Sequence, residues 1–215
     1  MGQIDLVIFD CDGVLVDSEV LTNTILRDML VELGATVTLE DMFDSFVGHS
    51  MAQCLDLMRD LLGQYPPDDF VVNYRKRCVQ VLQEELQPVP GIELALSRIR
   101  LPMCVASSGD HDKMRTTLGQ TGLLDHFKDR LFSVTQVAHG KPAPDVFLLA
   151  ASSMGVPPDR VAVVEDTPVG VMAGVAAGMK VFGYAGRTPQ QRLRSAGASV
   201  VFHDMSMLPA LLESA

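Results

Sequence analysis

Two aspartates set two residues apart, Asp10 and Asp12, open the run Asp10-Cys11-Asp12-Gly13-Val14-Leu15-Val16-Asp17. Residues two apart at the end of a strand project toward one side, so this run places two carboxylates over one small volume. Three more polar clusters follow. Ser107-Ser108-Gly109 offers hydroxyls and backbone N–H groups able to hold an anion beside a helix. Gly140-Lys141-Pro142-Ala143-Pro144-Asp145 presents one cation, held by two prolines just ahead of a helix. Val163-Val164-Glu165-Asp166-Thr167-Pro168 supplies two adjacent carboxylates. Taken singly, each cluster also fits a structural role: an Asp-Gly turn with a helix cap, a serine N-cap, an exposed loop lysine beside proline at the first helical position, and an aspartate N-cap followed by proline.

What singles the four out is the set of elements that must position them. Residues 3–9 form a short apolar, β-branched run that stops at Asp10, which reads as a strand buried on both faces. Runs over 102–106, 160–164 and 180–184 end in the same way, in Ser107-Ser108-Gly109, Glu165-Asp166 and Ala185-Gly186. Helical stretches over 112–121, 145–154 and 168–177 lie between them. Strand alternating with helix implies right-handed βαβ units and a parallel sheet, so the expected fold is doubly wound α/β with a Rossmann-like core. Such a topology gathers the four clusters at one sheet edge, although more than 150 residues of sequence separate the first from the last.

One stretch breaks the alternation. From Ser18 to Leu86 apolar residues such as Val20, Ile25, Met29 and Leu33, then Leu55, Met58, Leu61 and Leu62, recur at helical spacing without a strand candidate. The chain returns through Pro88-Val89-Pro90-Gly91. We expect residues 1–17 and 87–215 to form the core, and 18–86 an inserted helical-bundle cap. An insertion leaving the first strand's polar loop belongs over the carboxyl ends of the strands, where open α/β sheets place their ligands. The twelve methionines, among them Met29, Met58 and Met172, read mostly as core filling.

Composition narrows the function classes. The 215 residues include 17 Lys plus Arg against 27 Asp plus Glu, a net charge of −10, and offer no basic field for a phosphate backbone. The longest basic cluster, Arg75-Lys76-Arg77, reads as a solvated helix face, and nucleic acid is not an expected partner. The four cysteines, Cys11, Cys54, Cys78 and Cys104, have neither CxxC spacing nor nearby histidine partners, which argues against zinc and redox-motif readings. With no basic leader ahead of its first apolar run, and no apolar run approaching about 18 residues, the chain is expected to be cytoplasmic and independent of membranes. A monomer is the default expectation.

Taken together, the two-aspartate loop, the serine, the lysine and the Glu165-Asp166 pair resemble the four motifs of the haloacid dehalogenase superfamily of phosphotransferases. The resemblance covers essentially the whole chain, with the helical insertion in the position of that superfamily's α-helical cap. Within the superfamily the chain resembles the β-phosphoglucomutase-like branch and, more strongly, its sugar-phosphate phosphatases. Stretches such as Pro102-Met103-Cys104-Val105-Ala106-Ser107, Leu131-Phe132-Ser133 and Ala173-Gly174-Val175-Ala176-Ala177-Gly178-Met179 carry that second likeness.

The resemblance implies a phosphatase acting on a small phosphorylated metabolite, a sugar phosphate or a sugar-acid phosphate such as 6-phosphogluconate. Asp10 would attack phosphorus and form an aspartyl phosphate, with Asp12 as acid and base; Ser107 would hydrogen-bond the phosphoryl oxygens and Lys141 neutralise their charge. Facing carboxylates that must accept a phosphate dianion call for a hard divalent cation, and Mg2+ is the expected cofactor. Its ligands would be Asp10, the backbone carbonyl of Asp12, Asp166 and, directly or through water, Glu165. Gly48, His49 and Ser50 are the candidate specificity loop, with Ser108 and Gly109 beside the phosphate and Arg75 and Lys76 as further contacts. Asp17 would order the loop or the hinge, and Cys11 is a spacer.

Two rival readings remain at this stage. A sugar phosphomutase is disfavoured because Thr22 stands where the mutases carry a hinge-side histidine, and Met51 where an arginine would grip a second phosphate. A catalytically silent binding or regulatory module is disfavoured because every reactive position is intact. Dehalogenases of the superfamily lack the second aspartate, which Asp12 supplies here.

Overall fold

The computed structural model describes residues 3–47 and 51–215. Six parallel strands form one sheet: β1 (Leu6–Phe9), β2 (Met103–Ser107), β3 (Leu131–Ser133), β4 (Val161–Glu165), β5 (Lys180–Tyr184) and β6 (Val200–Phe202), in the order β3-β2-β1-β4-β5-β6. This is the expected doubly wound, Rossmann-like arrangement. The chain builds outward from β1 to β3, then reverses at β1/β4 and builds the other wing. The helices are α1 (Ser18–Glu32), α2 (Leu39–Ser45), α3 (Met51–Leu62), α4 (Phe70–Glu85), α5 (Ile92–Arg98), α6 (His111–Gln120), α7 (Leu124–Phe127), α8 (Asp145–Ser153), α9 (Pro168–Ala176), α10 (Gln190–Ser195) and α11 (Leu208–Glu213). The strand and helix spans predicted for the core are matched to within a few residues at each end; β3, β6 and the helices α5, α7, α10 and α11 went unpredicted.

All four side chains of β1 are buried, because the alternating Cβ directions send Leu6 and Ile8 to one face and Val7 and Phe9 to the other, and helices cover both. On one face Leu6 and Ile8 join Val146, Phe147 and Ala150 of α8 with Val171 and Ala173 of α9 in a single cluster. On the opposite face Phe9 meets Phe127 of α7 edge to face, with ring centroids 5.9 Å apart. Full burial of each such side chain stabilises the fold by roughly 1.5–3 kcal/mol. Small residues then set how closely α9 approaches the sheet: a Cβ on Gly174 would lie 2.7 Å from Val181 Cγ2. That close approach carries the start of α9 toward the end of β4, where the acidic pair sits.

The chain divides into two compact units, Met1–Asp17 with Gln87–Ala215, and Ser18–Leu86. The second contains α1 to α4, with Ile25, Leu26, Met29 and Leu30 of α1 buried, and Phe70, Cys78 and Leu82 of α4 buried as well. Arg77 of α4 donates two hydrogen bonds, of 2.7 and 2.9 Å, to Glu32 at the end of α1. Thr38 and Asp41 form a reciprocal capping box that starts α2. Met172, expected in the core, is exposed instead, as are Leu33 and Leu61 of the apolar positions at helical spacing. Leu33 falls one position past α1, Leu61 near the end of α3, and Met172 on the outer side of α9, opposite Val171 and Ala173.

Candidate active site

The parallel register brings the site together. Phe9 pairs with Val105 on one side and Val164 on the other, so one step further along the strands Asp10 lies between Ala106 and Glu165. Lys141, on the loop before α8, reaches all three: its ammonium donates to Asp10 Oδ1 at 2.6 Å, to Glu165 Oε1 at 2.6 Å and to the Ala106 carbonyl at 3.1 Å. Its side chain is 4 % exposed and lies over the Phe147 ring, 4.7 Å from the centroid. A lysine so enclosed is not a loop surface residue. Burial alone would lower its pKa, but Asp10 and Glu165 outweigh that and raise it, so the ammonium stays charged. For Asp10 the balance runs the other way: burial pushes the carboxyl up to about 7, with Lys141 opposing and Glu165 adding to the rise.

Glu165 is 1 % exposed and engaged at both oxygens. Oε1 accepts from Lys141, while Oε2 accepts from the backbone N–H groups of Asp166 and Thr167 at 3.1 and 3.3 Å and from the Thr167 hydroxyl at 3.1 Å. Room for that carboxylate depends on Gly170, where a Cβ would stand 1.9 Å from Glu165 Cδ. Thr167 is also the N-cap of α9, accepting from the Gly170 N–H at 3.1 Å. Capping therefore falls to Thr167 and not to Asp166. At the end of β2 the same division recurs, with Asp110 capping α6 by accepting from the Lys113 N–H at 2.8 Å. Ser107 is buried and accepts the Gly109 N–H at 3.0 Å, while Ser133 donates to the Gly109 carbonyl at 2.8 Å and so fixes the turn that holds Ser108.

Asp12 lies in a tight loop in which the Gly13 N–H donates to the Val16 carbonyl at 2.9 Å and the Leu15 N–H to the Cys11 carbonyl at 3.0 Å. Gly13 has φ +79°, the left-handed region that glycine tolerates, and a Cβ there would lie 2.1 Å from Asp166 Oδ2. The Asp12 carboxylate is held by Lys113 of α6, with Nζ 2.7 Å from Oδ2. Sequence reasoning did not find Lys113. The available signal was a cation in the first turn of a helix, where the macrodipole disfavours it.

Asp10, Glu165 and Asp166 are all buried, and each offers a carboxylate oxygen within 4.8 Å of the others. An all-oxygen donor set suits a hard cation. When ionised, the carboxylates of Asp10, Asp12, Glu165 and Asp166 outnumber the two ammonium groups of Lys141 and Lys113, an excess of negative charge that a divalent ion would offset. The cleft above Gly13 leaves the Asp166 carboxylate the space that a side chain would fill. The residues present thus fit Mg2+.

Other expected residues lie elsewhere or serve other ends. Gly48, His49 and Ser50 fall outside the described residues. Arg75 and Lys76 are exposed on α4, within the helical unit. Asp17 pairs with Arg187 through contacts of 2.7 and 2.8 Å, and its N–H donates to Gln87 where the chain returns. Burial, reinforced by Asp12 and Asp10, raises the Cys11 thiol well above its ordinary value, which suits a spacer rather than a nucleophile.

The family model of the haloacid dehalogenase-like hydrolases matches residues 4–178. The 6-phosphogluconate phosphatase of Escherichia coli (strain K12) is 33% identical over 212 residues, which cover 98% of this chain and 96% of that protein. A phosphorylated carbohydrates phosphatase of Thermotoga maritima is 31% identical over 82% of each chain. A crystal structure of a haloacid dehalogenase-like protein from Agrobacterium tumefaciens superposes with TM-score 0.91, 33% identity and 98% coverage of both chains. With its strand-end carboxylates, buried lysine and doubly wound sheet, the chain belongs to the haloacid dehalogenase-like hydrolases and is a phosphoric monoester hydrolase of that family.

Proposed function

We propose that the protein removes phosphate from a small phosphorylated metabolite, a sugar phosphate or a sugar-acid phosphate such as 6-phosphogluconate, through an aspartyl phosphate on Asp10. One observation carries the reading: a buried lysine joins Asp10 to Glu165, with Asp166 close enough to complete a three-carboxylate set. Lys141 holds the Asp10 carboxylate in place for attack on phosphorus and offsets the charge of the phosphoryl oxygens. Ser107, with the neighbouring Ser108 and Gly109, hydrogen-bonds those oxygens. Asp12 gives a proton to the leaving oxygen, then takes one from the water that releases phosphate from Asp10, a role worth about 10²–10⁴-fold. Asp10, Asp166, the Asp12 carbonyl and Glu165 would hold Mg2+, whose charge compensates the meeting of anionic substrate with anionic site. Substrate choice is assigned to Gly48, His49 and Ser50. The names of the two phosphatases above, both acting on phosphorylated carbohydrates or their acids, support the substrate class.

The test is phosphate release from a panel of sugar phosphates, sugar-acid phosphates, phosphoglycolate and nucleotides, with Mg2+ and with chelator, for wild type and Asp10→Asn. Release that needs Mg2+ and vanishes in the variant is the expected result, and the panel then ranks 6-phosphogluconate. Undiminished release by Asp10→Asn would remove the nucleophile. Isomerised substrate without net phosphate release would turn the assignment to a phosphomutase.

A further inference from the structure

We propose that Lys113 is a positioning residue for Asp12, selecting which of its two carboxyl oxygens exchanges protons with substrate and water; this rests on the phosphatase reading above. Lys113 Nζ lies 2.7 Å from Asp12 Oδ2, across 101 residues of sequence. The contact is built from local structure. Asp110 caps α6 by accepting the Lys113 N–H, and Ser107 at the end of β2 accepts the Gly109 N–H, so the backbone is tied down at both ends of the short segment from the strand end to Lys113. Gly109 clears the way for the lysine stem: a Cβ there would stand 3.2 Å from Lys113 Cδ and 3.9 Å from Asp12 Oδ2.

Stability does not account for this lysine. Its side chain is 40 % exposed, and a half-solvated ion pair contributes little to folding. Its place in the first turn of a helix sets a cation against the positive end of the macrodipole. A residue that helix electrostatics disfavours, in an ion pair that contributes little to folding, is explained by what it holds.

An ammonium has donors and no acceptor. The oxygen facing Lys113 is therefore always an acceptor, and the transferable proton of Asp12 must reside on Oδ1. That proton passes from Oδ1 to the bridging oxygen as the phosphorus–oxygen bond of the substrate breaks and the Asp10 carboxylate bonds to phosphorus. Oδ1 then takes a proton from water as the water oxygen bonds to phosphorus and the Asp10–phosphorus bond breaks. Asp12 ends protonated as it began, and Lys113 keeps its three protons throughout. Without Lys113 the carboxyl loses the donor that keeps Oδ2 an acceptor, and the transferable proton is no longer confined to Oδ1.

The experiment compares wild type, Lys113→Met, Lys113→Arg, Asp12→Asn and the Lys113→Met/Asp12→Asn double variant on a sugar phosphate and on p-nitrophenyl phosphate, whose leaving group needs no proton. Loss of a partner that orients a reacting group typically costs about 10- to 100-fold in activity. We expect Lys113→Met to lose that much in kcat/KM on the sugar phosphate and less than about 3-fold on the aryl ester, with unchanged melting temperature. Lys113→Arg should recover most of the loss, and Lys113→Met should cost nothing further in the Asp12→Asn background. Equal losses on both substrates would make Lys113 a phosphate contact and overturn the inference. So would wild-type kinetics for Lys113→Met, or an added loss in the Asp12→Asn background. Wild type that releases no phosphate from any substrate would instead overturn the phosphatase reading, and the inference with it.

Discussion

Replacing Gly13 by alanine separates the backbone's demands from those of the metal site. Gly13 adopts φ +79°, where a Cβ costs roughly 1–2 kcal/mol, or about 2–8 °C of melting temperature for a chain this long. The second effect is steric and local. The new Cβ would begin 2.1 Å from Asp166 Oδ2, while real Cβ contacts stay beyond 3.0 Å, so the carboxylate must retreat by about 0.9 Å. Ligand distances at a bound cation hold to within about 0.2 Å, and a displacement more than four times larger takes Asp166 out of the donor set. Gly13→Ala should therefore melt only a few degrees low, yet need at least about 10-fold more Mg2+ for half-maximal phosphate release. Thermal melting in chelator and a Mg2+ titration of phosphate release measure the two effects independently. A variant that melts as expected but keeps the wild-type Mg2+ requirement would show that Asp166 does not hold the ion.

Three further substitutions or treatments test the packing around the site. Lys141→Met leaves Asp10 and Glu165 facing each other in a buried pocket, so urea unfolding in chelator should show about 3–5 kcal/mol lost, with turnover down at least about 100-fold; wild-type stability would mean that the lysine does not balance those carboxylates. Gly170→Ala drives a Cβ to within 1.9 Å of Glu165 Cδ and should cost about 1–3 kcal/mol or more; an unchanged unfolding midpoint would refute the close approach of α9 to β4. Cys11, Cys54, Cys78 and Cys104 are all buried, and burial pushes the Cys104 thiol up to about 12. A thiol reagent at pH 8 should leave the native protein unmodified over minutes and titrate four thiols in denaturant, and one fast-reacting native thiol would contradict the packing at that position.

The central strands were legible because a strand covered on both faces must be apolar along its whole length and must stop where solvent begins. Within the predicted runs, residues 6–9 and 161–164 show both features, and the structure ends β1 and β4 at or next to the predicted carboxylates. The outermost strands β3 and β6 are three residues each, too short for any periodicity to register. In the helical unit the 3.6-residue period identified the helices but not every buried position, since Leu33 and Leu61 sit at helix ends where the apolar stripe no longer faces the bundle. Lys113 was invisible for a different reason. Its meaning depends on Asp12, which no local pattern connects to it, and a single lysine on a helix reads as solvated.

The helix caps explain how residues that do chemistry can share short loops with residues that build the fold. After β2, Ser107 ends the strand and Asp110 begins α6; after β4, Glu165 ends the strand and Thr167 begins α9. In each loop the residue that caps is distinct from the residue that faces the cleft, although either cluster taken from sequence alone admits the opposite assignment. Each cap fixes the backbone N–H groups of the first helical turn, and these fix the loop one to three residues upstream. Thr167 goes further, donating its hydroxyl to Glu165 while accepting from Gly170, so one side chain both starts α9 and holds the carboxylate that anchors Lys141. The geometry around Asp10 is thus set by the sheet register on one side and by helix capping on the other. Neither depends on a ligand being bound, which is the condition for electrostatic stabilisation that needs no reorganisation during reaction.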